Sequence, residues 1–230
     1  VDPVVLQSAL LFVVLLVSLV VHEASHAAVA LLGGDRTAYL GGQVTLNPIP
    51  HIQREPFGTV ILPLLVLAMS EGTMILGYAH APFDPVWAQR HPQRAALMSL
   101  AGPASNFLLF AVAFLGLKLM IAGDLVSAIP GREALLYVRP PEDGGAVYAT
   151  AKILSTFLFL NLLLGLFNLL PWPPLDGAGV VEGLGPRSVR RFYGHIRAQP
   201  IFALLGIFAA WRLLGLIFEP ALRTVVLDWL

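Results

Sequence analysis

Five apolar stretches constrain this chain more than any other feature: Val4 to Leu32, Phe57 to Ala79, Ala95 to Ala122, Thr150 to Leu170 and Ile201 to Phe218. A helix of about 20 apolar residues matches the thickness of a bilayer's hydrocarbon core. Only 12% of the 230 residues are charged, against about a quarter in soluble domains, so the chain lacks the polar surface a soluble fold needs. The fold class this implies is an all-α polytopic membrane protein, a transmembrane helical bundle forming a single domain over residues 1–230. Its first partner is the lipid bilayer. Basic and acidic residues balance at 14 each, with no block of like charge, and nothing points to a nucleic-acid partner. There is no cysteine, so any metal must be held by histidine and carboxylate.

The breaks between these stretches carry their own signals. Gly33-Gly34 ends the first as a C-cap pair does. Thr37 to Asn47, with Tyr39, Val44 and Thr45 around Gly41-Gly42, reads as a short β ribbon at the membrane surface. Pro63 and the Ser70 to Thr73 turn interrupt the second stretch, which suggests a re-entrant segment rather than a crossing.

Within the first stretch stands His22-Glu23-Ala24-Ser25-His26, an H-E-x-x-H sequence. Residues i and i+4 of a helix lie about 40° apart around its axis, so the two imidazoles converge on one ion. Glu23 beside them can take a proton from water at that ion. An ionisable group at the bilayer centre costs about 2.5–3.5 kcal/mol on insertion scales. Three in one span therefore call for a use.

Asp176 is the natural third ligand. Pro171, Pro173 and Pro174 keep its segment from being regular helix, and Gly177 follows it. Irregular backbone at membrane depth is tolerated where it is buried in protein or lines a cavity. Two histidines and one carboxylate leave a fourth zinc position open, the catalytic arrangement. An ordinary interfacial turn at Asp176-Gly177 is the plainer alternative.

With these pieces in hand, the chain resembles the site-2 protease family of intramembrane zinc metalloproteases. The resemblance rests on H-E-x-x-H, on Phe167 to Gly177 (F-N-L-L-P-W-P-P-L-D-G), on Gly41 to Pro48 and on Ala101-Gly102-Pro103-Ala104-Ser105-Asn106, and it covers about residues 15 to 185. It implies one zinc per chain held by His22, His26 and Asp176, with Glu23 as general base. Asn168 matches the asparagine that steadies the substrate carbonyl or oxyanion. The other reading of Asn168 is a helix-ending amide bonded to local backbone. The resemblance further implies single-span transmembrane proteins as substrates, cut within or near the bilayer. Ala178 stands where many members have a second glycine, and no segment is long enough for the PDZ or nucleotide-binding modules of some relatives. Gly102 and Asn106 suit close helix contact and an interhelical hydrogen bond. His51, His80, His91 and His195 fall in loops, where surface or structural roles are expected, and Glu71 is expected in a turn.

Ligand geometry also bears on topology. His22 and His26 lie near the C-terminal end of the first stretch, and Asp176 lies just beyond the C-terminal end of the fourth. If every stretch crossed, these ends would face opposite sides, so one must turn back, and Phe57 to Ala79 is the candidate. One side then collects Arg36, Arg54, Arg90, Arg94, Arg187, Arg190, Arg191 and Arg197, which makes it cytoplasmic by the positive-inside rule. Two rival functions remain at this point. A membrane metal transporter or channel would use the His/Asp cluster as a transit site, but it would repeat such ligands along a path. A catalytically inactive membrane protein would bind substrates without cutting them, which sits poorly with an intact Glu23.

Overall fold

The structure is a computed structural model that describes residues 2–133, 136–140, 145–227 and 229–230. Four helices among the described residues are long and apolar enough to cross a bilayer. They are α1 (Pro3–Leu32), α6 (Pro92–Ala122), α7 (Gly145–Asn168) and α10 (Pro200–Leu222). Between them lie α2 (Thr37–Leu40), α3 (Pro48–Arg54), a π-helical turn (Phe57–Ile61), α4 (Leu62–Met69) and α5 (Pro85–Arg90). The strands β1 (Ser127–Glu133) and β2 (Leu136–Arg139), the helices α8 (Asp176–Leu184) and α9 (Arg187–Arg197) and a second π-helical turn (Arg223–Leu227) complete the described elements. The molecule is thus a polytopic helical membrane protein with one small antiparallel sheet, as the sequence leads one to expect.

Helix α6 is central, packing against α1, α7 and α8. Its Phe110, Ala113 and Leu117 join Leu158 and Leu162 of α7 and Leu214 and Phe218 of α10 in the larger core. A second core sets Leu11, Leu15 and Leu19 of α1 against Leu67 of α4 and Leu160 of α7. The opposite face of α6 exposes Leu108, Val112, Leu115 and Leu119. That stripe has helical spacing, and a face so apolar finds its solvent in lipid rather than water.

The short β structure lies elsewhere than the sequence suggests. In Thr37 to Asn47 the backbone bonds are local, with Gly41 N donating to Thr37 O and Gln43 N to Ala38 O, so the segment is a helical turn and a loop. Burial decides this: Ala38 is fully enclosed beside Ala27 of α1, which a helical turn permits. The ribbon occurs instead in the loop after α6, where Ser127 pairs with Arg139 and Ala128 with Val138. There Tyr137 and Val138 are buried in the larger core. The side chain of Arg132, in β1, lies outside the described residues.

The segment from Phe57 to Ala79 turns back on itself. After α4 the chain turns through Ser70 to Thr73, with Glu71 at φ 53°, and then runs extended, so that Tyr78 N donates to Gly58 O at 3.0 Å. The contact is close: a β-carbon on Gly58 would meet Tyr78 O at 2.3 Å. At the tip, Gly72 lies against Val4 and Ser8 in the first turns of α1. Beyond the segment the chain reaches the other end of α1. Asp84 N donates to Asp35 Oδ2 at 2.8 Å, and Trp87 Nε1 and the Arg94 guanidinium both donate to Gly33 O at 3.0 Å. The segment thus goes out and back beside α1, and α6 starts at the end of the bundle where α1 finishes.

Candidate metal centre

His22 and His26 sit one turn apart on α1, both 5% exposed, with Nε2 atoms 3.0 Å apart. His22 is ten residues before the end of α1, about 15 Å down its axis at 1.5 Å per residue. One stripe of α6, at i, i+4 and i+8, receives the pair. The carbonyl of Met98 accepts from His26 Nδ1 at 2.7 Å, and Asn106 Oδ1 accepts from His22 Nδ1 at 2.6 Å. Between them Gly102 leaves room for the rings, because a β-carbon there would stand 2.3 Å from His26 Nε2 and 2.5 Å from His22 Nε2. The close helix contact expected of Gly102 is thus a contact with the imidazoles themselves.

Asp176 comes to this pair just beyond the end of a membrane span. Helix α7 ends at Asn168, the proline-rich segment turns, and α8 begins at Asp176. Gly177 packs directly on the end of α7, where a β-carbon would meet Leu169 O at 2.1 Å and Leu170 O at 2.6 Å. Helix α8 then lies along α6 through Gly179 against Ser99 and Gly183 against Pro92 and Ala96. Sequence number rises along α8 as it falls along α6, so the two run antiparallel and Asp176 sits level with Gly102. Its Oδ2 is 3.0 Å from His22 Nε2 and 3.3 Å from His26 Nε2. Asp176 is no ordinary interfacial turn.

The donor set fits a divalent cation. A carbonyl oxygen cannot donate, so His26 carries its proton on Nδ1, facing Met98, and as a neutral imidazole it presents a lone pair on Nε2. Asn106 Oδ1 requires the same of His22. Two lone pairs and a carboxylate oxygen then face one another, an acceptor-only cage that repels itself until positive charge enters. One ligand atom from each of His22, His26 and Asp176 lies within 4.8 Å of the others. Among the described residues this is the single group of three or more such ligands.

The remaining sequence candidates divide. Glu23 is 2% exposed and its Oε2 has no hydrogen-bond partner, so a buried acceptor is left open beside the histidine pair. Asn168 Nδ2 donates to Leu164 O at 3.1 Å. That is the local backbone bond of the plainer reading, and it uses one of the two amide hydrogens. His51 is buried and donates from Nε2 to Thr45 O at 3.0 Å, bracing the loop before α3. His80 pairs with Glu55 at 2.9 Å, and His195 bonds to Arg191 O at 3.1 Å on α9. His91 marks the start of α6. The parts that sequence reasoning missed are the Met98 carbonyl, Ser18 and Asn161. A backbone acceptor leaves no trace in composition, but Asn161 stands alone in an apolar run, and a polar side chain in lipid must find partners.

Known proteins are similar to this chain over most of its length. The sequence profile of peptidase family M50 matches residues 10–212. The Bacillus subtilis protein YwhC, which bears the name of a zinc metalloprotease, is 36% identical over 217 residues, 89% of this chain and 85% of YwhC. The Mycolicibacterium smegmatis protein Rip2, named in the same way, is 32% identical over 179 residues, 76% of this chain and 57% of Rip2. No solved structure matches the chain significantly.

Proposed function

The chain belongs to peptidase family M50, the site-2 protease family, and from that premise we propose that it is an intramembrane zinc endopeptidase that cuts single-span membrane proteins within or near their transmembrane segments, as in regulated intramembrane proteolysis. The observation that carries this reading is the meeting of His22, His26 and Asp176, from two distant parts of the chain, around a cage of acceptors. His22 and His26 would hold one zinc ion through Nε2, and Asp176 would complete the protein ligands. When bound, the ion supplies Lewis-acid activation of water and of the scissile carbonyl.

The chain's own residues do the rest. The open carboxylate of Glu23 accepts the proton of the attacking water and returns it to the leaving amine. Asn168 uses its second amide hydrogen on the substrate carbonyl, where an oxyanion develops. The substrate helix must unwind first, because its carbonyls are already hydrogen-bonded. The catalytic end faces the cytoplasm. Arg90, Arg94 and Arg190 line one cavity at the end of the bundle where α6 begins, and the positive-inside rule assigns such an end to the cytoplasm.

The test is cleavage of a single-span protein co-reconstituted with the full chain in liposomes, comparing wild type with Glu23→Gln. General-base catalysis is worth about 10²- to 10⁴-fold, so Glu23→Gln should lose at least the lower figure while keeping its zinc. Undiminished cleavage by Glu23→Gln removes Glu23 from the mechanism. Metal flux without any cleavage by wild type favours a transporter instead.

A further inference from the structure

Behind His22 a polar chain crosses three membrane-spanning helices. Ser18 of α1, Asn106 of α6 and Asn161 of α7 are each fully buried apart from a few per cent or less. Asn161 Nδ2 donates to Phe157 O at 2.9 Å and to Ser18 Oγ at 2.9 Å. Ser18 in turn donates to Val14 O at 2.8 Å, so its oxygen is the acceptor toward Asn161. Asn161 Oδ1 accepts from Asn106 Nδ2 at 2.9 Å. This leaves Asn106 Oδ1 to face His22 Nδ1 at 2.6 Å.

The direction of this chain is not free. The carbonyls of Phe157 and Val14 can only accept, so the nitrogen end of Asn161 must face α1 and its own backbone. That forces Asn106 to offer nitrogen to Asn161 and oxygen to His22. An asparagine side chain alone has no such preference, since its amide ends have the same shape and can exchange by a half-turn. Turned the wrong way, Asn106 offers N–H to His22 Nδ1. The imidazole then carries its proton on Nε2, where a metal needs a lone pair.

We propose that Asn161, anchored by Phe157 O and Ser18, is a positioning residue that fixes the amide of Asn106 and through it the metal-binding tautomer of His22. The inference rests on the zinc-holding reading of His22. Orienting partners of metal-bound histidines are worth about 10- to 100-fold in metal affinity. A residue that merely glues helices together acts differently: its loss lowers stability whatever occupies position 106.

The experiment measures zinc affinity of metal-stripped full-length protein in detergent, by competition with a chromophoric chelator, alongside thermal unfolding. Asn161→Leu should weaken zinc binding by about 10- to 100-fold. Adding Asn106→Asp to Asn161→Leu should restore most of that loss, because a carboxylate has no wrong end. Unchanged affinity in Asn161→Leu overturns the proposal, as does an equal loss in the double variant. Should Asn161→Leu fail to fold, ¹⁵N-histidine spectra of wild type decide. A proton on His22 Nδ1 supports the relay, and its absence overturns it. Wild type that binds no zinc defeats the proposed function instead, while the same spectra still read the tautomer.

Discussion

Gly102 supports His26 by having no side chain: a β-carbon on it would stand 2.3 Å from His26 Nε2. The consequence is testable with a single methyl group. Gly102→Ala improves the intrinsic helix propensity of α6 by about 1 kcal/mol, so the helix itself does not suffer. The imidazoles must move, at an overpacking cost of about 1–3 kcal/mol. Zinc affinity should therefore fall by roughly 5- to 150-fold while helicity by circular dichroism stays the same. Wild-type affinity in Gly102→Ala means the pair tolerates displacement, and the proposed cage is looser than it looks.

Gly177 makes the corresponding demand on the carboxylate. A β-carbon there meets backbone atoms of Leu169 and Leu170 at 2.1 to 2.6 Å, and backbone cannot rotate aside as a side chain can. Gly177→Ala should shift Asp176 away from the histidines, reducing both bound zinc and cleavage, and should lower thermal stability by about 1–3 kcal/mol. Ala178 is its neighbour and is fully buried. Ala178→Gly removes one methyl from a packed site and weakens α8, so zinc content should hold while about 2 kcal/mol of stability is lost. Equal effects of the two substitutions on zinc content would count against a special role for Gly177.

Metal removal should act on structure as well as rate. A ligand that binds only the folded state stabilises it by about 2.7 kcal/mol at one hundred times its dissociation constant. Stripping with a chelator should stop cleavage and lower the unfolding temperature, and adding zinc back should restore both. Asp176→Ala should behave like the stripped wild type and no longer respond to added zinc. A full zinc response in Asp176→Ala removes that residue from the ligand set.

Asp35 gives the protein an acid-sensitive joint outside the membrane spans. Burial alone raises its carboxyl, but hydrogen bonds from Thr37 N, Thr37 Oγ1 and Asp84 N outweigh this and hold it below the ordinary range. A carboxylate depressed in the folded state stabilises above its unfolded pKa of about 3.9 and loses that contribution as pH falls through the folded value. Unfolding followed from pH 6 down to pH 2 should therefore show an acid limb in wild type that Asp35→Asn flattens. Identical limbs in the two proteins place the acid sensitivity elsewhere.

How far these features could be read in advance depended on whether their causes were local. The spacing of His22 and His26 needs only helical periodicity, and the Ser70 to Thr73 turn needs only its own residues, so both were legible. Tyr39, Val44 and Thr45 suggested a ribbon, yet strand preference reports how a residue packs more than what its backbone prefers. The enclosed position of Ala38 beside α1 decided for a helical turn. The actual ribbon at Ser127 to Arg139 carries no such local signal, because the burial of Tyr137 and Val138 comes from distant helices.

What the sequence determined alone was the solvent, the helical class and which side chains are candidates for binding a metal, since these follow from composition and from local motifs. The tertiary structure decided how those side chains face one another. Met98, Gly102 and Asn106 meet the histidines only because α6 packs against α1 along one stripe, and Asp176 arrives only because Gly177 lets α8 start against the end of α7. Contacts between elements far apart in sequence are selected by the packing of whole helices, and no local pattern encodes that choice.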